Sequence, residues 1–344
     1  MIELSENRLV FTFPEVHASA RLVIDFQRTL RIPDDDKEHA LPPGLGRFPL
    51  RHVDDFASRV PPAWVEHGGV MLPMYQSEAL WIHFDAGGYA FLDQGYPFAV
   101  RIATGKVDAV TGKTWKDGIE RAPQNYLAVP TQPWLDGYCV EKGVIRQFVA
   151  MPLGAGYTAE EQVTGQAEHG GIQILVHPMK AKAYEKLRKE REKQAARRGL
   201  AKGRPVLLCA AADDGMGLAP GGKMRQGILG DPFPFEDWDR KQTSRCFVHI
   251  ANSMVWQSIT GAPPPAPPPT AAAYTKAGLP WFEYYAEGAQ ALEGSKTLAG
   301  LKSVKEMGEQ KGDVPLPENE RVTGETVIQL RKGLGKDQVR EGKL

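Results

Sequence analysis

The longest alternating stretch of the chain is "ARLVIDFQRTLRI". Ala20, Leu22, Ile24, Phe26, Leu30 and Ile32 fall on one side, and Arg21, Asp25, Gln27, Thr29 and Arg31 on the other. Arg28 interrupts the apolar side and Val23 the polar one. A period of two over this length predicts a long, half-buried strand. "LVFTF", separated from it by "PEVHAS", predicts its antiparallel partner. Further apolar runs predict strands at 79–84, 96–103, 143–151, 171–177, 205–210 and 246–251, several of them punctuated by "DAGG", "DQG" and "EKG". No strand–helix–strand alternation runs through them, which argues against a doubly wound parallel sheet. The expected fold is mainly β, with antiparallel sheets in a sandwich-like body.

One segment changes period. The stretch around 181–202, with "AKAYEKLRKEREKQAARRG" at its heart, is a strong helix former. Glu185 with Lys189, Lys186 with Glu190 and Arg188 with Glu192 support it as opposite-charge pairs. Its apolar stripe is little more than Tyr184 and Leu187, so a charged helix is expected to project from the body. "GAPPPAPPPTAAA" (261–273) reads as a polyproline II linker. The expected organisation is therefore a β-rich body at 1–260, the linker, and a C-terminal arm at 274–344 that packs back on the body. Within that arm, "GLPWFEYY" supplies an aromatic cluster. "KTLAGLKSVKEMG" predicts a short helix with Leu298, Leu301, Val304 and Met307 on one face.

Charge narrows the function little. Lys+Arg and Asp+Glu are both 42, so the net charge is zero and no global attraction to nucleic acid or anionic membrane follows. The charge is uneven, however. Between Lys180 and Arg204 eleven cations face three glutamates, a local excess of eight. Such a helix suits an acidic partner or a second copy of the chain, through Lys186, Arg188, Lys189, Arg191, Arg197 and Arg198. The interleaved glutamates disfavour nucleic acid. Trp281 and Phe282 of the arm are the apolar candidates for partner contact. Three distant cysteines, Cys139, Cys209 and Cys246, fit a reducing compartment. Neither a secretory leader nor a membrane-length apolar run is present, so a cytoplasmic location without membrane attachment is expected.

The candidate chemistry is incomplete. "GLAPGGKM" (217–224) follows an apolar run, as a phosphate-binding loop would. Yet Met224 stands where a Ser or Thr must reach Mg²⁺, and "RQGILGDPFPF" cannot open a helix. The expectation is a mobile, glycine-rich turn, open to a role as a cover. In "WIHFD", His83 and Asp85 share one strand face with Trp81. With Arg101 and the 152–169 loop they would form half of a metal or acid–base site. That loop carries Glu160, Glu161 and His169, and Thr158 with Glu161 also completes a capping box. His169 and His177 would lie ~26 Å apart on a continuous strand, too far to share an ion. No nucleophile elbow and no complete dinucleotide fingerprint exist, and no cofactor is expected.

"GGKMRQGILGDPFPFEDWD", "RCFVHIANSMVWQSITGAPPPAPPPTAAAYTKAGLPWFEYY" and "MPLGAGYTAEEQVTGQAEHGGIQI" resemble an uncharacterised bacterial protein family, over about a third of the chain. The resemblance implies no activity, cofactor or site residue. It does imply that the proline run and aromatic tail belong with the body. The leading expectation is a non-enzymatic binding or structural protein that works through its basic helix and C-terminal arm. The alternative is a metal-dependent enzyme or small-molecule binder with its site around His83, Asp85 and the 152–169 loop.

Overall fold

The computed structural model describes residues 1–35, 37–87, 95–198, 216–284, 290–317 and 327–330. The strand expected at 205–210 lies outside these. In chain order the first strands are β1 (Ile2–Ser5), β2 (Arg8–Thr12), β3 (Arg21–Thr29), β4 (Glu38–His39), β5 (Gly44–Arg47), β6 (Arg51–His52), β7 (Val70–Met74) and β8 (Ala79–Asp85). Then come β9 (Phe98–Thr104), β10 (Val107–Asp108), β11 (Leu127–Val129), β12 (Trp134–Leu135), β13 (Gly137–Glu141), β14 (Val144–Pro152), β15 (Ile172–Pro178), β16 (Met216–Arg225) and β17 (Ser244–Asn252). Helices are α1 (Pro62–His67), α2 (Ala159–Thr164), α3 (Ala181–Arg198), α4 (Ser253–Thr260), α5 (Ala271–Lys276), α6 (Lys296–Ala299) and α7 (Val304–Lys311).

The fold is mainly β, and these seventeen strands are joined by one hydrogen-bonded network. The pairings divide it into two groups. One runs from β1 through β2, β3 and β8 to β14 and β16, with β4, β5, β12 and β13 alongside. The other runs from β11 and β10 through β9, β15 and β17 to β7 and β6. Met216 of β16, opposite Ile250 of β17, is the single strand pairing that links the groups among the described residues. The pairing is antiparallel except for β16 with β4 and β17 with β7. Those partners are far apart in sequence, so no hairpin imposes opposite directions on them.

Both groups feed one core. Phe11, Phe26, Ile82 and Phe148 come from the first, and Phe98, Ile102, Ile174 and Val248 from the second. Phe13 meets Phe98 with ring centroids 6.0 Å apart. Tyr138 ties the groups with polar bonds: its hydroxyl lies 2.7 Å from Thr104 Oγ1 of β9 and donates to the Leu218 carbonyl of β16 at 2.9 Å. Burying each such large side chain contributes roughly 1.5–3 kcal/mol.

The segment Gly217–Met224 is the main departure from the sequence reading. It is neither a turn nor a loose loop, but the centre of β16, paired along β14 with a register shift between Arg146 and Phe148, opposite Gly221 and Gly222. Its glycines answer crowding. A Cβ at Gly221 would sit 2.6 Å from Val149 Cγ2, and one at Gly222 would sit 3.3 Å from Ile32 Cγ1. Glycine inside a strand often marks such a close backbone approach.

The basic helix α3 is pinned along its first half. Tyr184 packs on Tyr96 at 4.2 Å and His17 at 5.0 Å, Glu185 meets His17 Nε2 at 3.1 Å, and Arg191 donates to the Gly95 carbonyl. Lys182, Lys186, Arg188 and Lys189 remain exposed, and Arg188 pairs with Glu185. Arg197 and Arg198 close the helix.

Beyond α4 the proline run has no helix or strand up to Thr270, and Ala271 already begins α5. Arg28 donates to the Ala266 carbonyl and Tyr75 to the Pro265 carbonyl, at 3.0 and 2.9 Å. Trp281 is fully buried, with its indole N–H on Thr275 Oγ1. It is thus a core residue and not a surface for partners. Phe282 exchanges two backbone hydrogen bonds with Leu41. Leu298, Leu301 and Val304 are buried as expected, but a break after Ala299 divides the predicted helix into α6 and α7.

Candidate functional site

Thr158 begins the site. Its hydroxyl accepts from the Glu161 N–H at 3.2 Å, while its own N–H donates to Glu161 Oε2 at 3.1 Å. The capping box expected from the sequence is complete, so Glu161 is occupied in holding α2. Glu160, one residue earlier, turns inward and is 2% exposed. Its carboxylate accepts the Gly170 N–H at 2.8 Å, the His169 N–H at 3.2 Å and His169 Nδ1 at 3.2 Å. A carboxylate partner makes Nδ1 the protonated nitrogen. Nε2, across the ring, has no hydrogen-bond partner among the described residues, and His169 lines a cleft.

The opposite wall comes from α1 and β17. Gly68 ends α1 and Gly69 follows at φ +86°, where a Cβ would come within 3.0 Å of the Phe247 carbonyl carbon. That close approach lays His67 flat on the Phe247 ring, with centroids 4.7 Å apart and planes 12° apart. Phe247 and His249 are two apart on β17 and therefore share a face. His67 lies 6.1 Å from His249 and 5.4 Å from His169, inclined by 10° and 20°. Trp64 stacks on His249 at 4.8 Å and 21°. Three imidazoles, an indole and a phenyl thus lie nearly parallel.

The cleft has a volume of about 270 Å³ and is lined by Pro61, Ala63, Trp64 and His67 of the α1 segment, by Leu153, Glu168, His169 and Gly171 around α2, and by Met216, His249 and Ile250 of β16 and β17. Met216 and Ile250 are the pair that joins the two strand groups, so the cleft sits on their seam. Burial pushes the His249 imidazole down to about 4, although its bond to the Gly68 carbonyl (Nε2–O 3.0 Å) opposes the shift. His249 is therefore neutral at pH 7. At the rim, Lys106 lies 3.0 Å from Glu168 and holds that carboxyl below its ordinary value.

Nearly parallel rings direct their in-plane lone pairs side by side instead of toward one point, and His249 Nε2 is already committed to Gly68. Among the described residues no group of three or more His, Cys, Asp or Glu side chains could hold a metal ion.

The other sequence candidates lie elsewhere. On β8, Leu80, Ile82 and Phe84 face the core, whereas Trp81 and His83 are part-exposed and Asp85 is exposed, as the alternation implies. Yet His83 does not pair with Asp85. Its Nδ1 lies 3.3 Å from Asp25 Oδ2 on β3, and Asp85 accepts the Gly87 N–H instead. Burial opposes ionisation of Asp25, but His83, Gln27 and Arg47 outweigh it and hold the carboxyl below its usual range. Arg101 is 3% exposed and bonded to Asp108 at 2.7 Å and to the Gly118 carbonyl, with its guanidinium over Trp115. Its hydrogen-bond partners are not shared with His83 or His169. His177 turns to the Asp239 carbonyl, apart from His169.

Sequence reasoning found Glu160 and His169 but missed Trp64, His67 and His249. One signal was available. In "CFVHIA", Phe247 and His249 occupy one face of a strand that was itself predicted. No family model matches the chain, and no curated protein or solved structure shows significant similarity to it.

Proposed function

We propose that the protein binds a small, uncharged, ring-bearing molecule in the cleft between α1, β17 and the α2–β15 connection. The observation that carries this reading is the stack of Trp64, His249, His67 and His169 along one cleft. Parallel aromatic and imidazole rings favour a further ring, and such pairs contribute about 0.5–1.5 kcal/mol beyond burial. Leu153, Met216 and Ile250 supply apolar wall, while Lys and Arg are absent from the lining. A volume near 270 Å³ lies at the lower end of ligand pockets, which favours a single ring with a short substituent. Free, buried Cys139 and Cys246 suit the cytoplasmic setting expected from the sequence. Titration calorimetry with phenol, indole and phenylacetone tests the reading. Binding of at least one of them, lost in Trp64→Ala, supports it; absence of binding by all three refutes it.

A second reading keeps α3 as a docking surface for an acidic protein or another copy of the chain. Lys182, Lys186 and Lys189 border one shallow, exposed surface with Ala181 and Glu185. Triple substitution of these lysines by glutamate should then change the assembly or partner capture seen in sizing experiments without lowering thermal stability. An unchanged elution profile and partner set would count against it.

A further inference from the structure

We infer that the same cleft hydrolyses a small, uncharged carboxylic ester, with His169 as general base and Glu160 as the residue that positions it. This rests on the ring-binding reading above and adds a reaction to it.

The geometry of Glu160 is the first support. A carboxylate that is 2% exposed is costly unless its lone pairs are satisfied. Two backbone N–H groups and one imidazole satisfy it here. Gly105 stands against it with φ +53°, and a Cβ there would lie 2.8 Å from Glu160 Cβ, so the cradle accepts no side chain at 105. The capping function belongs to Glu161, which leaves Glu160 with His169 as its one side-chain hydrogen-bond partner among the described residues. A carboxylate behind Nδ1 selects the tautomer with a basic Nε2 and stabilises the ring when it takes a proton.

The lining selects the substrate class. Among the described residues it contains no Ser, Thr or Cys, and the proposed nucleophile is water. It also contains no Lys or Arg to clamp a phosphate, and Glu168 at the rim disfavours anions. Trp64 and the imidazoles accept a ring, and Leu153, Met216 and Ile250 an acyl methyl. A neutral aryl or benzyl ester of a short acid has that chemistry. In the step, His169 Nε2 takes one proton from water while the water oxygen bonds to the ester carbonyl carbon. The tetrahedral adduct then expels the alkoxide or phenoxide oxygen, which receives the proton from His169. One ester and one water become one acid and one alcohol, and the imidazole is restored.

The groups that face His169 are Glu160, Glu168 and His67, with Lys106 behind Glu168. The test follows turnover and binding side by side. Hydrolysis of phenyl acetate and benzyl acetate is measured by acid release from pH 5 to 9. Binding of phenylacetone, in which a methylene replaces the ester oxygen of phenyl acetate, is measured in parallel by calorimetry. In His169→Gln the rate is expected to fall about a hundredfold or more, the usual scale for general-base catalysis, and by a larger factor than any loss of phenylacetone affinity. In Glu160→Gln kcat is expected to fall at least about tenfold with KM little changed. Circular dichroism and thermal unfolding confirm that both variants fold. If phenylacetone binds but neither ester turns over, or if His169→Gln turns over at the wild-type rate, the inference is overturned and the binding reading stands. If there is no turnover and phenol, indole and phenylacetone all fail to bind, both fall.

Discussion

Gly105 and Glu160 fill one space: the missing side chain at 105 is where the buried carboxylate lies. Substitution Gly105→Ala forces a left-handed backbone on alanine and displaces the carboxylate from the His169 and Gly170 N–H groups. The expected loss is about 2–3 kcal/mol, from backbone strain and unmade buried hydrogen bonds. Thermal or urea unfolding measures it. The His169 ring signals in NMR should also move, as they should not for Gly118→Ala, where an added Cβ meets nothing within 4 Å.

His249 sets an acid limit on stability. Its folded value of about 4 lies below the ordinary 6.5, so the unfolded chain takes up the proton more readily. Stability is full above about pH 6.5 and falls as the pH drops through 6.5 toward 4, by an amount on the order of 3 kcal/mol. His249→Gln removes the titrating group. Urea unfolding at pH 7.5 and pH 4.5 should show a smaller acid loss for the variant than for the wild type. Equal losses would contradict the assignment.

Asp136 acts in the opposite sense. It is deeply buried, and desolvation raises its carboxyl to about 7 despite hydrogen bonds from Gln226 and the Trp134 side chain. A folded value above the unfolded one means that its contribution is present at low pH and lost as pH rises from about 4 through 7. Asp136→Asn keeps the site neutral throughout. The variant is expected to lose this part of the pH dependence and to gain a few kcal/mol relative to wild type at pH 8, read from denaturant midpoints.

Gly222 tests the meaning of the glycine-rich strand. Gly222→Val places a branched side chain against Ile32 and the Pro33 backbone, and should cost at least about 2–3 kcal/mol by overpacking. Adding ATP with Mg²⁺ to the wild type should leave the melting temperature unmoved. A ligand-dependent rise lost in Lys223→Ala would revive the phosphate-loop reading.

Period-two alternation identified β3, and apolar runs identified β2, β8, β9, β14, β15 and β17; β9, β14 and β15 are buried on both faces, which is why they read as runs. The capping box at Thr158 was equally legible, since both partners lie within four residues. Gly217–Met224 was not. Its glycines look like turn chemistry until Val149 and Ile32 are seen pressed against them, and those contacts come from β14 and the chain after β3. The cleft was half legible for the same reason. His169 and Glu160 are neighbours along the chain, whereas His67 and His249 meet only through the parallel pairing of β7 with β17. His83 shows the limit of face arguments: it shares a face with Asp85 but pairs with Asp25 on the adjoining strand.

Among the described residues Met216 and Ile250 form the one strand rung between two large groups of strands, and both also line the cleft. A molecule lodged there is a wedge in a joint. Its binding energy is shared between holding the ligand and clamping the two halves together. Occupancy should therefore be audible far from the cleft, as slower hydrogen exchange along β16 and β17.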